Sequence, residues 1–123
     1  MFDHIGLKVR DLDASVRFYE AALAPLGFVL CGRDASGAGF GPPGTPALWL
    51  YPAGGGKNPG THIAFRATDR KAVGAFHKAA LKAGGQNNGA AGLRADYSPS
   101  YYAGFVLDPD DNNVEAVCMK ETV

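Results

Sequence analysis

The sequence predicts an α+β fold in which two βαβββ modules form a curved sheet around a cleft. The stretch "DHIGLKVRD" at residues 3–11 is similar to "THIAFRATD" at residues 61–69, in a chain of 123 residues. Alignment of residues 3–27 with residues 61–85 gives nine identities in 25 positions. In both copies an alternating apolar pattern precedes apolar residues at helical spacing, which is typical of a strand that leads into a helix. The repeat therefore predicts two modules of one design.

The first module, residues 1–51, opens with a strand and a helix. The strand is predicted by one aliphatic face, which consists of Ile5, Leu7 and Val9. Asp11 or Asp13 caps the helix, and Pro25 with Gly27 ends it. The apolar stripe of this helix consists of Val16, Tyr19, Leu23 and Leu26. Three further strands are predicted at residues 28–31, 38–41 and 47–51.

The second module, residues 61–123, repeats this order. Its first strand and its helix, capped by Asp69 and ended by Gly84 and Gly85, match those of the first module. Later strands are predicted at 101–107 and 112–118, joined by the turn "DPDDNN". Residues 86–96 are too rich in Gly and Asn to place. Residues 52–60, "PAGGGKNPG", are predicted to be a flexible linker within a single domain that spans residues 1–123.

Composition excludes several classes of protein. The chain is 46% hydrophobic and 20% charged, which is typical of a globular domain, and its net charge is zero. It therefore lacks the global basic field of a nucleic-acid-binding protein. No apolar run approaches the ~20 residues of a membrane span, and the first residues carry charges instead of a signal core. We expect a cytoplasmic protein with reduced cysteines, no membrane partner, and homodimers that cover the sheet edges.

Two histidines and one glutamate are the candidate metal ligands. Because the aliphatic residues face the helices, His4 and His62 project from the opposite face of their strands. In the last strand Val114 and Ala116 take the helix side, so Glu115 also faces the cleft. Two imidazoles and one carboxylate form a common ligand set for a divalent ion such as Fe, Mn, Ni, Co or Zn. The cleft is therefore predicted to bind a metal through His4, His62 and Glu115.

Other residues are candidates for substrate contacts. Trp49 is expected at the first-module position that corresponds to Glu115, and tryptophan cannot ligate a metal. Alternation places Tyr101 and Tyr102 on opposite faces, so one of them reaches the cleft, where a phenol could donate to a substrate oxygen or act as an acid. Arg94 is a candidate clamp for an anionic substrate. We assign catalytic roles to Glu115 and Tyr102, and substrate binding to Trp49, Tyr101 and Arg94. His77 is interpreted as a helix-face residue.

The chain resembles the vicinal oxygen chelate superfamily, which includes glyoxalase I, extradiol dioxygenases, and bleomycin- and fosfomycin-resistance proteins. The resemblance rests on three segments: "DHIGLKVRDLDASVRFYEAALAPLGF", "GTHIAFRATDRKAVGAFHKAALKAGG" and "DPDDNNVEAV". It implies paired βαβββ modules around a metal cleft and puts His4, His62 and Glu115 on ligand positions. Two residues depart from the family pattern. Asp111 replaces a glycine of the turn, and Trp49 replaces a metal ligand of glyoxalase I.

The resemblance implies a small metal-dependent enzyme. Its metal would act as a Lewis acid on a substrate with vicinal oxygens. The reaction class stays open among lyase or isomerase, dioxygenase and group transfer, and Trp49 argues against glyoxalase activity. The alternative is a non-catalytic drug- or metabolite-binding protein, like the bleomycin-resistance proteins, which uses the same cleft. A third possibility is a member of the fold with no activity.

Overall fold

A computed structural model describes residues 1–54 and 60–120. The first module contains strand β1 (Ile5–Val9), helix α1 (Leu12–Leu23) with a 3-10 turn (Ala24–Leu26), and strands β2 (Val29–Asp34), β3 (Gly37–Gly41) and β4 (Leu48–Pro52). The second contains β5 (His62–Arg66), α2 (Arg70–Lys82), β6 (Gln86–Leu93), β7 (Tyr102–Leu107) and β8 (Asn113–Cys118). The predicted α+β fold with two βαβββ modules is confirmed. No helix of the described residues has the length and apolar character that a membrane crossing needs.

Each module folds into its own four-stranded mixed sheet. The strand orders are β1-β4-β3-β2 and β5-β8-β7-β6, so the two sheets have the same topology. The first and last strands of each module pair in parallel, while the other neighbours pair antiparallel. Parallel pairing needs a long connection between the two strands, and the helix and the two intervening strands supply it. The repeat in sequence is therefore a repeat in structure.

The two helices begin as the sequence predicts. The Asp11 side chain accepts a hydrogen bond from the Ala14 backbone N–H, and Asp69 accepts one from Ala72. Such caps satisfy N–H groups that have no partner within the helix. After α1 and its 3-10 turn the chain reverses at Gly27, which has a φ of 87°. This left-handed conformation favours glycine and fixes where β2 begins.

The core lies between the helices and the sheets. Alternation puts Leu7, Val9 and Ile63 on the buried face of the first strands. Helices α1 and α2 pack against each other, so the two modules share one continuous apolar cluster. The largest fully buried apolar or aromatic side chains are Tyr19, Phe18, Phe40, Phe76, Leu23 and Leu50. The opposite face of each sheet stays outside this core and is free to carry polar chemistry.

Strand β6 is the main element that the sequence does not place. It runs from Gln86 to Leu93 and pairs antiparallel with β7, with register shifts between Asn87 and Gly89 and between Gly89 and Gly92. Its glycines and asparagines hide the alternation that would reveal a strand, because the irregular register breaks the period of two. The predicted linker overlaps residues 55–59, which lie outside the described residues.

A buried polar network holds the turn between β7 and β8. One oxygen of Asp108 accepts from the backbone N–H groups of Asp110 and Asn112, and its second oxygen accepts from the Tyr19 hydroxyl at 2.5 Å and from Asn112 Nδ2 at 2.8 Å. Asp110 accepts from the backbone N–H and Nε of Arg10. Tyr19 and Arg10 belong to the first module, so this network joins the turn of the second module to the first.

Asp111 has a φ value that explains why glycine is favoured at this position of the turn. Its φ is 64°, in the left-handed region where glycine is the usual residue. Aspartate is among the few other residues that adopt this conformation readily. The substitution therefore keeps the turn, as the hydrogen bond from the Asp111 backbone N–H to the Asp108 carbonyl shows.

Replacement of Asp108 by alanine should destabilise the protein by about 3 kcal/mol or more, because it leaves several buried donors without an acceptor. The free energy of unfolding in urea, followed by circular dichroism, measures this effect. Asp96→Ala is the matched control, since Asp96 is exposed. Equal stability of the two variants would show that the network contributes nothing.

Stability should also fall at high pH through Tyr19. Burial, followed by the charge and hydrogen bond of Asp108, raises the pKa of Tyr19 well above its ordinary value of 10.0. The folded state thus favours the neutral phenol. This contribution is complete below about pH 10, where the unfolded phenol is also neutral, and is lost as pH rises further. Unfolding free energies at about pH 8 and about pH 11 should therefore differ less for Tyr19→Phe than for the wild-type protein. Equal pH dependence of the two proteins would contradict this.

Candidate functional site

The face of the second sheet that points away from the helices carries the polar residues. Ala64, Glu115, Phe105 and Gly89 form one row across β5, β8, β7 and β6. Side chains two residues apart on a strand share a face, so His62 lies on the same face as Ala64 and Glu115. We call this surface the His62 face. It is defined by His62, Glu115, Phe105 and the side chains that contact them.

Glu115 is the centre of this face. It is only 2% exposed. One carboxylate oxygen lies 2.9 Å from His62 Nε2, and the other accepts a hydrogen bond from the Tyr101 hydroxyl. Burial of a carboxylate is costly unless it is paired, and these two partners offset that cost. The structure therefore brings together three residues that the sequence singled out: His62, Glu115 and Tyr101.

Tyr101 donates to Glu115 as a neutral phenol. Burial, then the hydrogen bond and charge of Glu115, and then Tyr97 raise the pKa of Tyr101 to about 12. The Tyr97 ring stands edge-on to Tyr101, with their centroids 5.1 Å apart. At neutral pH the phenol keeps its proton and can share it with the carboxylate or with a bound oxygen atom.

Tyr102, to which the sequence analysis assigns a catalytic role, lies on the opposite face of the sheet from Glu115. Tyr102 pairs with the buried Cys118 and lies on the helix side of β7, packed against the core. The Arg70 guanidinium carbon lies 4.9 Å from the centre of its ring. Tyr101, the residue just before β7, points to the opposite face, and its hydroxyl reaches Glu115. Sequence alternation alone cannot distinguish the two tyrosines, because the residues next to them do not indicate which face of the strand points towards the cleft.

His62 is oriented by a second neighbour as well. Its ring stacks on Phe105 with centroids 6.4 Å apart and an interplanar angle of 26°. The His62 side chain is 51% exposed, so one edge of the imidazole faces solvent while Nε2 faces Glu115. The sequence analysis did not single out Phe105. The available signal was the alternation of side chains, which puts Phe105 on the same face as Tyr101 and Ala103.

His4 lies apart from this group. It precedes β1, its side chain is 58% exposed, and its Nδ1 lies 2.7 Å from the Asp3 carboxylate. Within residues 1–54 and 60–120, no group of three His, Cys, Asp or Glu side chains is placed to hold a metal ion. A single chain therefore brings together His62 and Glu115 but does not add His4 to them.

The His62–Glu115 pair by itself fits two neighbouring ligand positions. Metal–nitrogen and metal–oxygen bonds of about 2.1 Å at right angles put the two ligand atoms about 3 Å apart. The observed separation of 2.9 Å between His62 Nε2 and Glu115 Oε1 agrees with that value. The donor types also suit a divalent ion, so the two residues fit two of the ligand positions of a metal site.

Trp49 stands where the repeat predicts. Gly6 pairs with Trp49 in the first sheet, just as Ala64 pairs with Glu115 in the second. The neighbour of Trp49 on β3 is Gly39, and a Cβ atom there would lie only 2.8–3.0 Å from three atoms of the indole ring. The indole ring therefore packs against a position that only glycine leaves open. Tyr51 lies beside it, within van der Waals reach of Gly6 and Gly37.

The structure also gives the positions of Arg94 and His77. Arg94 lies on the His62 face, with its guanidinium carbon 5.3 Å from the centre of the Phe105 ring. His77, interpreted as a helix-face residue, lies on α2, with Nε2 2.9 Å from the Asn87 side-chain oxygen.

Comparison with known proteins identifies the class of protein. The family model of the Glyoxalase/Bleomycin resistance protein/Dioxygenase superfamily matches residues 1–116. The chain belongs to this superfamily, which confirms the resemblance seen in the sequence. A search of curated proteins finds no match.

Solved structures agree with this assignment. A glyoxalase/bleomycin resistance protein from Albidiferax ferrireducens T118 is 27% identical, with a TM-score of 0.82 over 98% of this chain and 99% of that one. A glyoxalase/bleomycin resistance protein/dioxygenase family enzyme from Burkholderia phytofirmans PsJN is 18% identical, with a TM-score of 0.74 over 96% and 98%. A lactoylglutathione lyase from Agrobacterium tumefaciens is 19% identical, with a TM-score of 0.67 over 96% and 92%. At identities below 25%, the last two are similar in fold alone.

Substitution of Gly39 by alanine should displace the Trp49 ring, because the added methyl group would overlap it. Trp49 is the only tryptophan of the chain, so its fluorescence reports on this ring alone. We expect emission shifted to the red as the indole moves into water. Gly32→Ala is the matched control, since Gly32 pairs with Gly39 and an added Cβ there meets no atom within 4 Å. Identical spectra for both variants would contradict the packing described.

Proposed function

We propose that the protein is a metal-dependent enzyme that acts on a small molecule with two vicinal oxygens. The observation that carries the proposal is the His62–Glu115 pair, held at the separation of two neighbouring metal ligands and buttressed by Tyr101. A divalent ion bound there would supply Lewis-acid chemistry. Superfamily membership supports action on small molecules and leaves the reaction open.

We further propose that His4 of a second copy completes the ligand set. His62 and Glu115 are present in one chain, and His4 is exposed and separate from them. In a twofold-symmetric dimer each chain would give His4 to one site and the His62–Glu115 pair to the other. This arrangement retains the three ligands expected from the sequence and the expected homodimer.

The residues of the chain have distinct proposed roles. Glu115 holds its orientation through both of its oxygens, so it needs little rearrangement on binding. Tyr101, neutral at working pH, would donate a hydrogen bond or a proton to a substrate oxygen. Phe105 fixes the His62 ring by stacking. Trp49, in the register position of a fourth ligand, would instead contact the substrate through the face of its indole.

The second candidate function is sequestration of a flat drug or metabolite without catalysis. The rings of Trp49 and Tyr51, which pack against Gly6, Gly37 and Gly39, favour this candidate. Tyr51 is exposed and Trp49 is half-buried, and two such rings suit a planar ligand because stacking adds to simple burial. Such a function would need no metal.

Metal content tests the proposal. The purified wild-type protein should contain a divalent metal, and His4→Ala, His62→Ala and Glu115→Ala should each lose it in elemental analysis. His77→Ala is the matched control and should retain the metal, because His77 contacts Asn87 away from the His62 face. A wild-type protein that binds no added divalent metal would overturn the metal proposal and favour sequestration. Turnover of methylglyoxal with glutathione should be slight or absent.

Co-expression of His4→Ala with His62→Ala tests whether the site spans two chains. Each variant alone should lack metal. In mixed dimers one of the two sites regains all three ligands, so random pairing should restore about a quarter of the wild-type metal content. No restoration, combined with metal loss in both single variants, would mean that the ligands come from one chain.

A further inference from the structure

Contacts with the backbone and with an aromatic ring hold Arg94 in place on the His62 face. It follows β6, is half-buried, and its Nη2 donates to the Ala90 carbonyl at 2.7 Å. Its guanidinium carbon lies over the Phe105 ring, at 5.3 Å from the centroid. Phe105 pairs directly with Glu115 on the adjacent strand. The cation is thus fixed beside the proposed reaction centre.

Two glycines of β6 make room for this side chain. A Cβ atom at Gly89 would lie 3.2 Å from Arg94 Nη2, and one at Gly92 would lie 3.2 Å from Arg94 Nη1. Either distance is too short for comfortable contact, so larger residues would push the guanidinium away. The glycines that obscure β6 in the sequence therefore leave room for the Arg94 side chain, and the φ of 143° at Gly89 also favours glycine there.

Arg94 has no carboxylate partner within the part of the chain that the structure describes. By contrast, Arg10 pairs with Asp110 and Arg33 pairs with Asp13. The acid of the His62 face, Glu115, is already bonded to His62 and Tyr101. A half-buried guanidinium with unused donors is a strong site for a planar oxyanion, which it can bind through two parallel hydrogen bonds.

We propose that Arg94 determines specificity by binding a carboxylate group of the substrate. Neighbouring strands lie about 4.8 Å apart, so the carboxylate would sit roughly 5–10 Å from Glu115. That distance suits a small organic acid with its carboxylate at one end of the molecule and its reacting oxygens at the opposite end. This inference rests on the proposed function for the chemistry at the reacting end of the substrate. The anion site itself depends on Arg94 alone.

The test uses phenylacetate and its neutral analogue phenylacetamide as probes. NMR titration should show that phenylacetate shifts the Arg94 Nε–Hε signal, which is assigned by its absence in Arg94→Lys, and that phenylacetamide leaves it unchanged. The affinity for phenylacetate should fall about tenfold or more in Arg94→Met. Arg94→Met should keep the metal content of the wild-type protein, so failure of the metal proposal and failure of this one are distinguishable.

Arg66→Met is the matched control, because Arg66 is an exposed cation on the same face of β5 without a glycine cradle. It should retain most of the affinity for phenylacetate. An equal loss in Arg66→Met and Arg94→Met would show a general effect of charge and overturn the proposal. Equal binding of both probes, or unchanged affinity in Arg94→Met, would also overturn it. Circular dichroism of each variant confirms that the fold is intact.

Discussion

The hydrogen bonds around Asp108 set the register on which the site depends. Asn112, bonded to Asp108, accepts from the Thr61 backbone N–H at 2.9 Å, and the Asn113 N–H donates to the Thr61 carbonyl at 2.8 Å. These bonds fix the start of β8 against the start of β5. From there the parallel ladder places Ala64 opposite Glu115, and His62, two residues earlier, opposite Asn113. A slip of one residue would turn Glu115 towards the core, because side chains alternate between faces.

The two modules share one backbone architecture but carry different side chains at equivalent positions. The same register position holds Trp49 in the first sheet and Glu115 in the second. Around Trp49 the neighbouring strands carry Gly6 and Gly39, which leave space for a large ring. Around Glu115 they carry Ala64 and Phe105, which shield a carboxylate. One module is thus suited to apolar contact and the other to polar chemistry, although both share strand order and helix position.

Much of this arrangement could be predicted from the sequence. The repeat and the period-two alternation placed His62 and Glu115 on one face and made Trp49 the counterpart of Glu115. Both predictions depend on local regularity, which a single sequence displays. The choice of Tyr101 over Tyr102 could not be made in this way, because it depends on which side of β7 the helix covers. The cradle of Arg94 was hidden for a related reason, since Gly89 and Gly92 break the pattern of β6.

The Asp108 network was beyond sequence reasoning because its partners are distant in the chain. The sequence predicts Tyr19 as part of an apolar helical stripe, and its ring does pack with Phe18 and Phe40. Only the folded chain brings its hydroxyl to an acid 89 residues away. A buried tyrosine that is both core and hydrogen-bond donor couples helix packing in the first module to the turn that orients Glu115 in the second. The geometry of the His62 face therefore depends on both modules of the chain, although its polar side chains come from the second module.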